Sequence, residues 1–387
     1  MLTRYHVENF KQLKEVEVQF QPLTIIIGPN GAGKSTLLQS IDFLKAFVST
    51  SIDFYLERKS IDFHELFHKS YQEKVVARKK IYWDIQVQLD DHTYEYQVSI
   101  TNQKQLSEKL SMNGKELFSR HMQTFKVAEG EPFEGEFLNP NAGFLASITE
   151  NQRHKYPSLY NFKNFLQHIR TFLIWDPTVL RSRSRGVKEG LGDHGQELAA
   201  VLAEMKRKKP DSFQQMIQRL QTILPNLEDV SVKTSSNGWK EIILNERQRN
   251  GLVSFSRNQM SDGTLRLLAM ATLRYGMEHY SLISFEEPEN GIHPPVLKKA
   301  VAMIQELTQL RYPLKSQVMM TTHNAELIEL FQDQPEALFV MERSNSTGSV
   351  IYPLPQNARE VAKWLFNNSL GDLWISNYLF DKEMMGP

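Results

Sequence analysis

The sequence predicts an α/β fold with a mainly parallel sheet, an antiparallel β subdomain and a helical insertion. The parallel sheet is indicated first by a β-branched run at residues 23–27, which is followed by a glycine-rich loop and a helix-like segment. From residue 241 to residue 341, strand-like and helix-like segments alternate, which favours parallel strands covered by helices. Residues 80–100 hold two strand-like runs joined by a polar turn, which is the pattern of an antiparallel hairpin.

Other elements follow from the spacing of the apolar residues. Strands are predicted from Tyr5 to Phe10 and through the alternating Val16, Val18 and Phe20. The remaining predicted segments are helices at 195–208, 213–224, 261–275 and 294–310 and strands at 241–244, 281–285, 317–322 and 337–341.

These segments divide the chain into four predicted parts. Residues 1–101 form an N-terminal lobe with the glycine-rich loop and the β subdomain, and residues 102–225 form a partly helical insertion. Residues 226–343 form a C-terminal lobe, and residues 344–387 a C-terminal helical extension. Within the insertion, residues 102–192 show no regular pattern, so no element is predicted there.

The composition argues against a membrane-spanning protein, a secreted protein and a protein that is basic overall. The chain has 387 residues and is 41% hydrophobic, which is enough for a sizeable core. Its 45 basic and 45 acidic side chains cancel, so any contact with nucleic acid must be local. No apolar stretch reaches the roughly 20 residues that span a bilayer, and the N-terminus does not resemble a signal peptide. We therefore expect no membrane contact. Since cysteine is absent, we also expect a cytoplasmic protein.

The glycine-rich loop from Gly28 to Ser35 matches the pattern G-x-x-x-x-G-K-[ST] between a strand and a helix. Glycines let backbone N–H groups surround phosphate oxygens, and the helix N-terminus adds a favourable dipole. Lys34 is placed to reach the β- and γ-phosphates, and Ser35 can ligate Mg²⁺. The pattern therefore predicts a nucleotide site with Mg²⁺. The residues predicted to bind the nucleotide here are Asn30, Gly31, Gly33, Lys34, Ser35 and Thr36.

Two adjacent acids, Glu286 and Glu287, follow the apolar run at 282–285. A P-loop site needs a second strand whose end supplies an acid to the metal and, in hydrolysing proteins, a base for the attacking water. Successive residues at a strand end point in different directions, so the two carboxylates can serve different atoms. We therefore assign Glu286 to the metal and Glu287 to the water. The alternative is a solvated acidic turn before Pro288.

Two further positions fit a nucleotide site. Ser261 and Gly263 stand at the start of an apolar helix, where a hydroxyl and a backbone N–H can meet phosphate. A plain helix cap is the alternative interpretation. His323 follows the strand at 317–322, where an imidazole can reach a γ-phosphate. A structural histidine is the alternative there.

The segments GPNGAGKST, MSDGTLRLLAMATL, SFEEPENGIHP and TTHNAEL resemble the ABC-type ATPases of the RecF, SMC and OLD branch. The resemblance is greatest to compact ATPases found beside nucleases or toxins in bacterial phage-defence systems, and it runs from Arg4 to about Val340. It implies an ABC-type ATPase head with ATP as the nucleotide. It also implies a homodimer or higher oligomer in which Ser261 and Gly263 contact the nucleotide held by Lys34 of the other subunit.

The resemblance also implies roles for two other residues and shows two departures. Asn290 lies in the family's D-loop, where it can cross to the opposite subunit, although turn chemistry is an equal alternative. Gln72 matches the Q-loop glutamine weakly, as a metal ligand. Asp262 stands where transporters carry glycine, and Glu286 stands at the metal position in place of aspartate. These departures leave the hydrolysis rate open.

Partners are implied by the resemblance and by one basic cluster. The family implies that the ATPase regulates or drives an effector, a nuclease or a toxin, in anti-phage defence or DNA metabolism. We expect a separate effector chain, since the 64 residues after His323 are fewer than the roughly 100 of a nuclease domain. Arg181, Arg183 and Arg185 can neutralise phosphates, so this cluster is predicted to contact nucleic acid or the partner.

Two alternatives to an ATPase that drives an effector remain open. One is a scaffold or toxin-regulating switch that binds ATP but hydrolyses it slowly. The other is the motor subunit of a transporter. Between Thr36 and Ser261 lie 224 residues, which argues against a transporter motor, because such motors usually carry a shorter insertion.

Overall fold

The structure is a computed structural model of the chain, and two compact units make it up. The first unit comprises residues 1–170 and 333–387, and the second comprises residues 171–332. Gln72, the predicted Q-loop residue, lies outside the residues that the structure describes. The described residues are 1–69, 79–130, 133–136, 141–172, 176–276, 279–310, 315–344, 348–354, 358, 360, 362–363 and 369–378.

Strands and helices both contribute to each unit. The strands are β1 Leu2–Phe10, β2 Leu13–Gln19, β3 Leu23–Ile27, β4 Lys80–Leu89, β5 His92–Thr101, β6 Leu106–Met112, β7 Lys115–His121, β8 Thr124–Val127, β9 Phe133–Glu136, β10 Ile169–Phe172, β11 Ser184–Arg185, β12 Leu227–Thr234, β13 Trp239–Gln248, β14 Gly251–Ser256, β15 Leu282–Glu286, β16 Gln317–Thr322, β17 Leu338–Ser344 and β18 Gly348–Pro353. The helices are α1 Lys34–Ser49, α2 Ile52–Lys59, α3 Pro157–Gln167, α4 Pro177–Leu180, α5 Leu198–Lys208, α6 Pro210–Gln221, α7 Asp262–Tyr275, α8 Pro294–Gln309, α9 Ala325–Glu329 and α10 Leu370–Ile375.

An eight-stranded antiparallel sheet dominates the first unit, in the order β2-β1-β4-β5-β6-β7-β8-β9. The hairpin predicted at residues 80–100 is confirmed, because β4 and β5 pair antiparallel across it. In β4 the residues Ile81, Trp83, Ile85 and Val87 are buried and their neighbours are more exposed, as expected when one face of a sheet covers a core.

Helix α1 packs on this sheet through aromatic contacts. The rings of Phe43 and Trp83 are stacked with their centroids 5.2 Å apart. The Trp83 indole N–H donates to the Ser40 hydroxyl at 2.9 Å, and Ser40 also shares a 2.6 Å hydrogen bond with the Tyr5 hydroxyl. These buried contacts fix the helix on the sheet, and with it the loop that precedes the helix.

Parallel pairing occurs in both units, as the sequence predicts. In the first unit β3 pairs parallel with β17, and Ile27 lies opposite Val340. All five residues of β3 are buried, which explains why the strand is an unbroken β-branched run. In the second unit β15 and β16 are parallel, and Glu286 lies opposite Thr321. Strands β11 to β14 form a separate antiparallel sheet in that unit.

Several observed boundaries differ from those predicted, for local reasons. Helix α5 begins at Leu198 and not at residue 195, because Gly195 and Glu197 both have a positive φ, 77° and 69°. Helix α6 begins at Pro210, three residues earlier than predicted, and proline is well suited to the first helical turn. Strand β18 lies inside the segment predicted as a helical extension, where it pairs antiparallel with β17.

No helix among the described residues is both long enough and apolar enough to span a membrane.

Candidate functional site

The glycine-rich loop lies in the first unit between β3 and α1. Gly31 and Gly33 have φ values of 80° and 111°, in the left-handed region that other residues avoid. A Cβ atom at Gly33 would lie 2.6 Å from the Ser349 hydroxyl oxygen, so no side chain fits there. Helix α1 begins at Lys34, and the N–H groups of its first turn therefore belong to the loop. This conformation has the features of a phosphate-binding loop.

Lys34 is bent over the same loop. Its side chain is buried, and its Nζ donates hydrogen bonds of 2.6 Å to the Gly28 carbonyl and 3.1 Å to the Pro29 carbonyl. These contacts hold an ammonium group at the N-terminus of α1. A cation at this position suits an anionic ligand, because both the lysine charge and the helix dipole favour negative charge.

The acid pair lies in the second unit at the end of β15. Glu286 is the last residue of the strand, and Glu287 has a φ of 46°, in the left-handed region. The Glu287 N–H donates to the Thr321 carbonyl at 3.0 Å, which holds the chain in this turn. A non-glycine residue in the left-handed region costs about 1–2 kcal/mol. The backbone conformation therefore changes between Glu286 and Glu287, and the assignment of one to the metal and the other to the water remains a prediction.

Glu287 is the centre of a hydrogen-bonded group. His323 Nδ1 lies 2.6 Å from Glu287 Oε1, and the Asn290 amide donates to Glu287 Oε2 at 2.9 Å. The Glu287 side chain is 22% exposed, so the group is open to solvent on one side. A carboxylate held on both oxygens is oriented for contact with a water molecule. Asn290, which is predicted to reach a second subunit, therefore contacts its own chain here.

Glu289 belongs to this region and is missed by sequence reasoning. Its side chain is buried, and its Oε1 accepts a hydrogen bond from the Thr322 hydroxyl. Its Oε2 is buried without a hydrogen-bond partner among the described residues. Burial raises the pKa of the Glu289 carboxyl above its ordinary value of 4.5. No sequence signal distinguishes this glutamate from a solvated residue in a turn, since Thr322 is 33 positions away.

Ser261 and Gly263 lie at the start of α7. Ser261 is the N-cap and accepts a 3.1 Å hydrogen bond from the Thr264 N–H, which is the cap interpretation weighed against phosphate contact. A Cβ atom at Gly263 would lie 2.9 Å from the Gly291 carbonyl oxygen. Glycine is therefore required for α7 to begin against the turn that follows the acid pair. The predicted contact with a nucleotide remains a prediction.

Two of the three arginines of the basic cluster form ion pairs within the chain. Arg181 Nη2 lies 2.5 Å from Asp262 and donates to the Met260 carbonyl at 2.8 Å, so Arg181 supports the segment before α7. Arg183 pairs with Glu241 at 3.1 Å, although its side chain is 52% exposed. Arg185 is exposed on β11. Contact of the exposed arginines with nucleic acid or a partner remains a prediction.

The donors available for a metal are oxygen atoms. Ser35 supplies a hydroxyl at the start of α1, and Glu286 supplies a carboxylate at the end of β15. Oxygen donors of this kind fit Mg²⁺, which keeps several water ligands and binds through few protein groups. The part of the chain that the structure describes contains no group of three His, Cys, Asp or Glu residues able to hold a metal. A protein cage for a transition metal is therefore not found among those residues.

Comparison with known protein families decides the family. Residues 23–329 match the family described as "AAA domain, putative AbiEii toxin, Type IV TA system". The match covers well over half of the chain. The chain belongs to this family.

The individual relatives either match a short stretch of the chain or share little sequence identity with it. A stretch of 52 residues is 46% identical to the OLD nuclease of Thermus scotoductus, and it covers 13% of the chain and 10% of that nuclease. The crystal structure of the SmcHead bound to the C-winged helix domain of ScpA is similar with a TM-score of 0.58 and 13% identity, over 91% of the chain and 96% of its own length. The SMC head domain from Thermotoga maritima is 12% identical, with a TM-score of 0.47 and coverage of 91% and 98%.

These findings confirm the predicted family branch and fold. The chain has the fold of an SMC-type head. Its local match to an OLD nuclease agrees with the family resemblance of its sequence motifs. It is an ABC-type ATPase of the RecF, SMC and OLD branch.

Proposed function

We propose that the chain hydrolyses ATP with Mg²⁺ at a site completed by a second copy of the chain. The resulting cycle of closing and opening controls a separate effector, a nuclease or a toxin. Family membership supports ATPase activity in general terms. The assignment of the catalytic residues rests on one observation: Glu287, just after strand β15, carries His323 on one carboxylate oxygen and Asn290 on the other.

The phosphates of ATP bind the loop between β3 and α1 in this proposal. Gly31 and Gly33 shape the loop, and Lys34 exchanges its carbonyl partners for phosphate oxygens. Asn30 and Thr36 flank these residues. Ser35 and Glu286 hold Mg²⁺, which when bound would neutralise the charge of the β- and γ-phosphates.

Glu287 acts on the attacking water. Its carboxylate is positioned by His323 and Asn290, so it can accept the proton of a water molecule without first being oriented. If His323 donates its Nδ1–H to Glu287, the ring presents Nε2 to the γ-phosphate. His323 then connects the nucleotide to the base that activates the water.

A second copy of the chain completes the site. Ser261 and the start of α7 offer a hydroxyl and a helix N-terminus, which suit an anionic ligand. We assign Ser261 and Gly263 to the nucleotide of the opposite copy. Asn290 then has two partners in the cycle, Glu287 in the open form and the opposite nucleotide in the closed form.

A slow switch is the second candidate, and one observation favours it. In the closed form proposed above, Asn290 leaves Glu287 for the opposite nucleotide, so its 2.9 Å hydrogen bond must break in every cycle. A required exchange of this kind lowers turnover. In this case ATP holds a complex together, and hydrolysis resets it rarely.

Glu287→Gln tests the assignment. It keeps the shape of the side chain but removes the base, so we expect turnover to fall about 10²- to 10⁴-fold. The variant is expected to accumulate as an ATP-bound dimer in analytical ultracentrifugation. Lys34→Ala should lose ATP binding. Glu336→Gln, at an exposed glutamate far along the chain, is the matched control and should behave as wild type.

The result also separates the two candidates. Equal, near-zero turnover in wild type and Glu287→Gln, with ATP-dependent dimers in both, would contradict the hydrolase and support the slow switch. The effector is tested by co-purifying the full chain with the products of the flanking genes, with and without ATP. A nuclease or toxin retained only in one nucleotide state is the expected outcome.

A further inference from the structure

A cleft of about 410 Å³ opens beside the phosphate loop, and the proposed mechanism does not use it. Sites for small molecules have volumes of about 300–1,000 Å³, so a nucleoside fits this space. The cleft lies entirely within the first unit. Its lining residues come from the loop, from the end of β17 and from the C-terminal segment, and they are Pro29, Asn30, Gly31, Ala32, Glu342, Arg343, Trp374 and Asn377.

The sheet register places the end of β17 beside the loop. Val340 lies opposite Ile27 in the parallel pair of β17 and β3, and both strands continue in the same direction. Glu342 and Arg343, near the end of β17, therefore lie in the same region that residues 28–30 reach after β3. This explains why a charged pair lines a cleft next to the backbone that is proposed to hold phosphates.

Trp374 comes from helix α10, which is anchored by the residues that precede the tryptophan. Leu370 and Leu373 are buried at 2% and 0% exposure, and the Ser369 side chain caps the helix by accepting a 3.0 Å hydrogen bond from the Asp372 N–H. Trp374 itself is only half-buried and lines the cleft. An indole held in this way offers a rigid aromatic surface at low entropic cost.

The chemistry of the lining fits a nucleobase. Tryptophan stacks on the flat face of a base, and an arginine guanidinium can stack on the same kind of surface. Glu342 offers a carboxylate that can accept a hydrogen bond from an amino or ring N–H group, and Asn377 offers both a donor and an acceptor. Adenine and guanine both carry an exocyclic amino group and a large stacking face.

We propose that this cleft binds the purine base of the nucleoside triphosphate whose phosphates occupy the loop, with Trp374 as the stacking surface. The proposal rests on the proposed nucleotide site and adds to it the part that recognises the base. It assigns a function to the C-terminal segment, which lies beyond the range matched by the family.

The test separates base binding from phosphate binding. Dissociation constants of the full chain are measured by calorimetry with ATP, GTP, CTP, UTP and inorganic tripolyphosphate, each with Mg²⁺. Trp374→Ala is expected to weaken ATP binding about 5- to 150-fold, the range found when a stacked aromatic is removed. Its affinity for tripolyphosphate should stay within about two-fold of wild type, since the loop is unchanged. Trp374→Phe should recover most of the ATP affinity.

Controls distinguish the possible failures. Trp239→Ala, at a tryptophan that is 43% exposed in the second unit, should bind every ligand as wild type does. Wild type should bind purine nucleotides more tightly than pyrimidine nucleotides, and Trp374→Ala should remove that preference. Unchanged ATP affinity in Trp374→Ala, or an equal loss of tripolyphosphate affinity, would overturn the base site alone. Failure of wild type to bind either ATP or tripolyphosphate would overturn the proposed function and this site with it.

Discussion

Two buried glutamates, one in each unit, have opposite surroundings. Glu108 lies in the antiparallel sheet of the first unit, where it pairs with Arg120 at 3.0 Å and accepts hydrogen bonds from the Tyr96 hydroxyl at 2.7 Å and the Phe144 N–H at 2.9 Å. Glu289 lies after the acid pair of the second unit, and only one of its oxygens has a hydrogen-bond partner among the described residues. A carboxylate with hydrogen bonds to both oxygens stabilises one conformation. A carboxylate with one oxygen unpartnered can accept a further hydrogen bond when the conformation changes.

The comparison separates structural from functional burial. The side chains of Glu108 and Arg120 are both completely inaccessible, so neither charge tolerates the loss of the other. Glu289 is buried next to residues that are proposed to change partners during the ATP cycle. We interpret its unsatisfied oxygen as a feature of the working site, in line with the tendency of unsatisfied groups to occur at functional positions.

The largest effect is expected from breaking the Glu108 pair. Arg120→Ala leaves a buried carboxylate without its cation, so the free energy of unfolding should fall by about 3–5 kcal/mol. Urea unfolding followed by circular dichroism measures the change. The double variant Glu108→Gln, Arg120→Met should lose less, because no charge remains buried. Arg153→Ala removes a 58% exposed arginine from an ion pair in the same unit and serves as control. A loss below about 1 kcal/mol in Arg120→Ala would contradict the structural role.

The second effect comes from the charge of Glu289 and depends on pH. Burial raises the pKa of this carboxyl in the folded chain, so above the ordinary value of 4.5 the unfolded chain releases its proton while the folded chain retains it. The folded chain then binds more protons, and stability falls as pH rises, by up to about 1.4 kcal/mol per pH unit for one proton. Glu289→Gln removes this pH dependence of stability and keeps an acceptor for the Thr322 hydroxyl.

Urea unfolding between about pH 5 and pH 7 measures the difference between wild type and Glu289→Gln. Glu289→Gln should become the more stable protein as pH rises, and the gap should close toward acid pH. Glu336→Gln, at an exposed glutamate, should follow wild type at every pH. Parallel pH dependence of wild type and Glu289→Gln would show that Glu289 ionises normally in the folded chain.

The same comparison explains which parts of the molecule could be predicted. The glycine-rich loop and the acid pair are recognisable because their residues are adjacent in the chain and the flanking strands are apolar. Strands β6 and β7 were not predicted. Glu108 occupies a buried position between Leu106 and Leu110, and Arg120 does the same after Phe118, so inward-facing charges interrupt the apolar alternation. Their pairing is visible only once the strands are adjacent.

Glu289 could not be predicted for a related reason. Its burial depends on the end of β16, and its one hydrogen-bond partner, Thr322, comes from that strand. The sequence around it, with proline before and asparagine and glycine after, is typical of a solvated turn. Family resemblance located the motifs but gave no information on which carboxylate is buried.

The smallest effect is expected from the exposed ion pair of Arg181 and Asp262, whose side chains are 24% and 55% exposed. Water solvates both charges when the pair is broken, so Arg181→Ala should change the free energy of unfolding by less than about 1 kcal/mol, as urea unfolding can measure. ATP turnover is the second measurement, because Arg181 also holds the Met260 carbonyl before α7. A fall in turnover without a fall in stability would assign Arg181 to positioning Ser261. If Arg181→Ala lowers the free energy of unfolding as much as Arg120→Ala, the contrast between the exposed and the buried ion pair is wrong. Burial would then not determine how much stability is lost when an ion pair is broken.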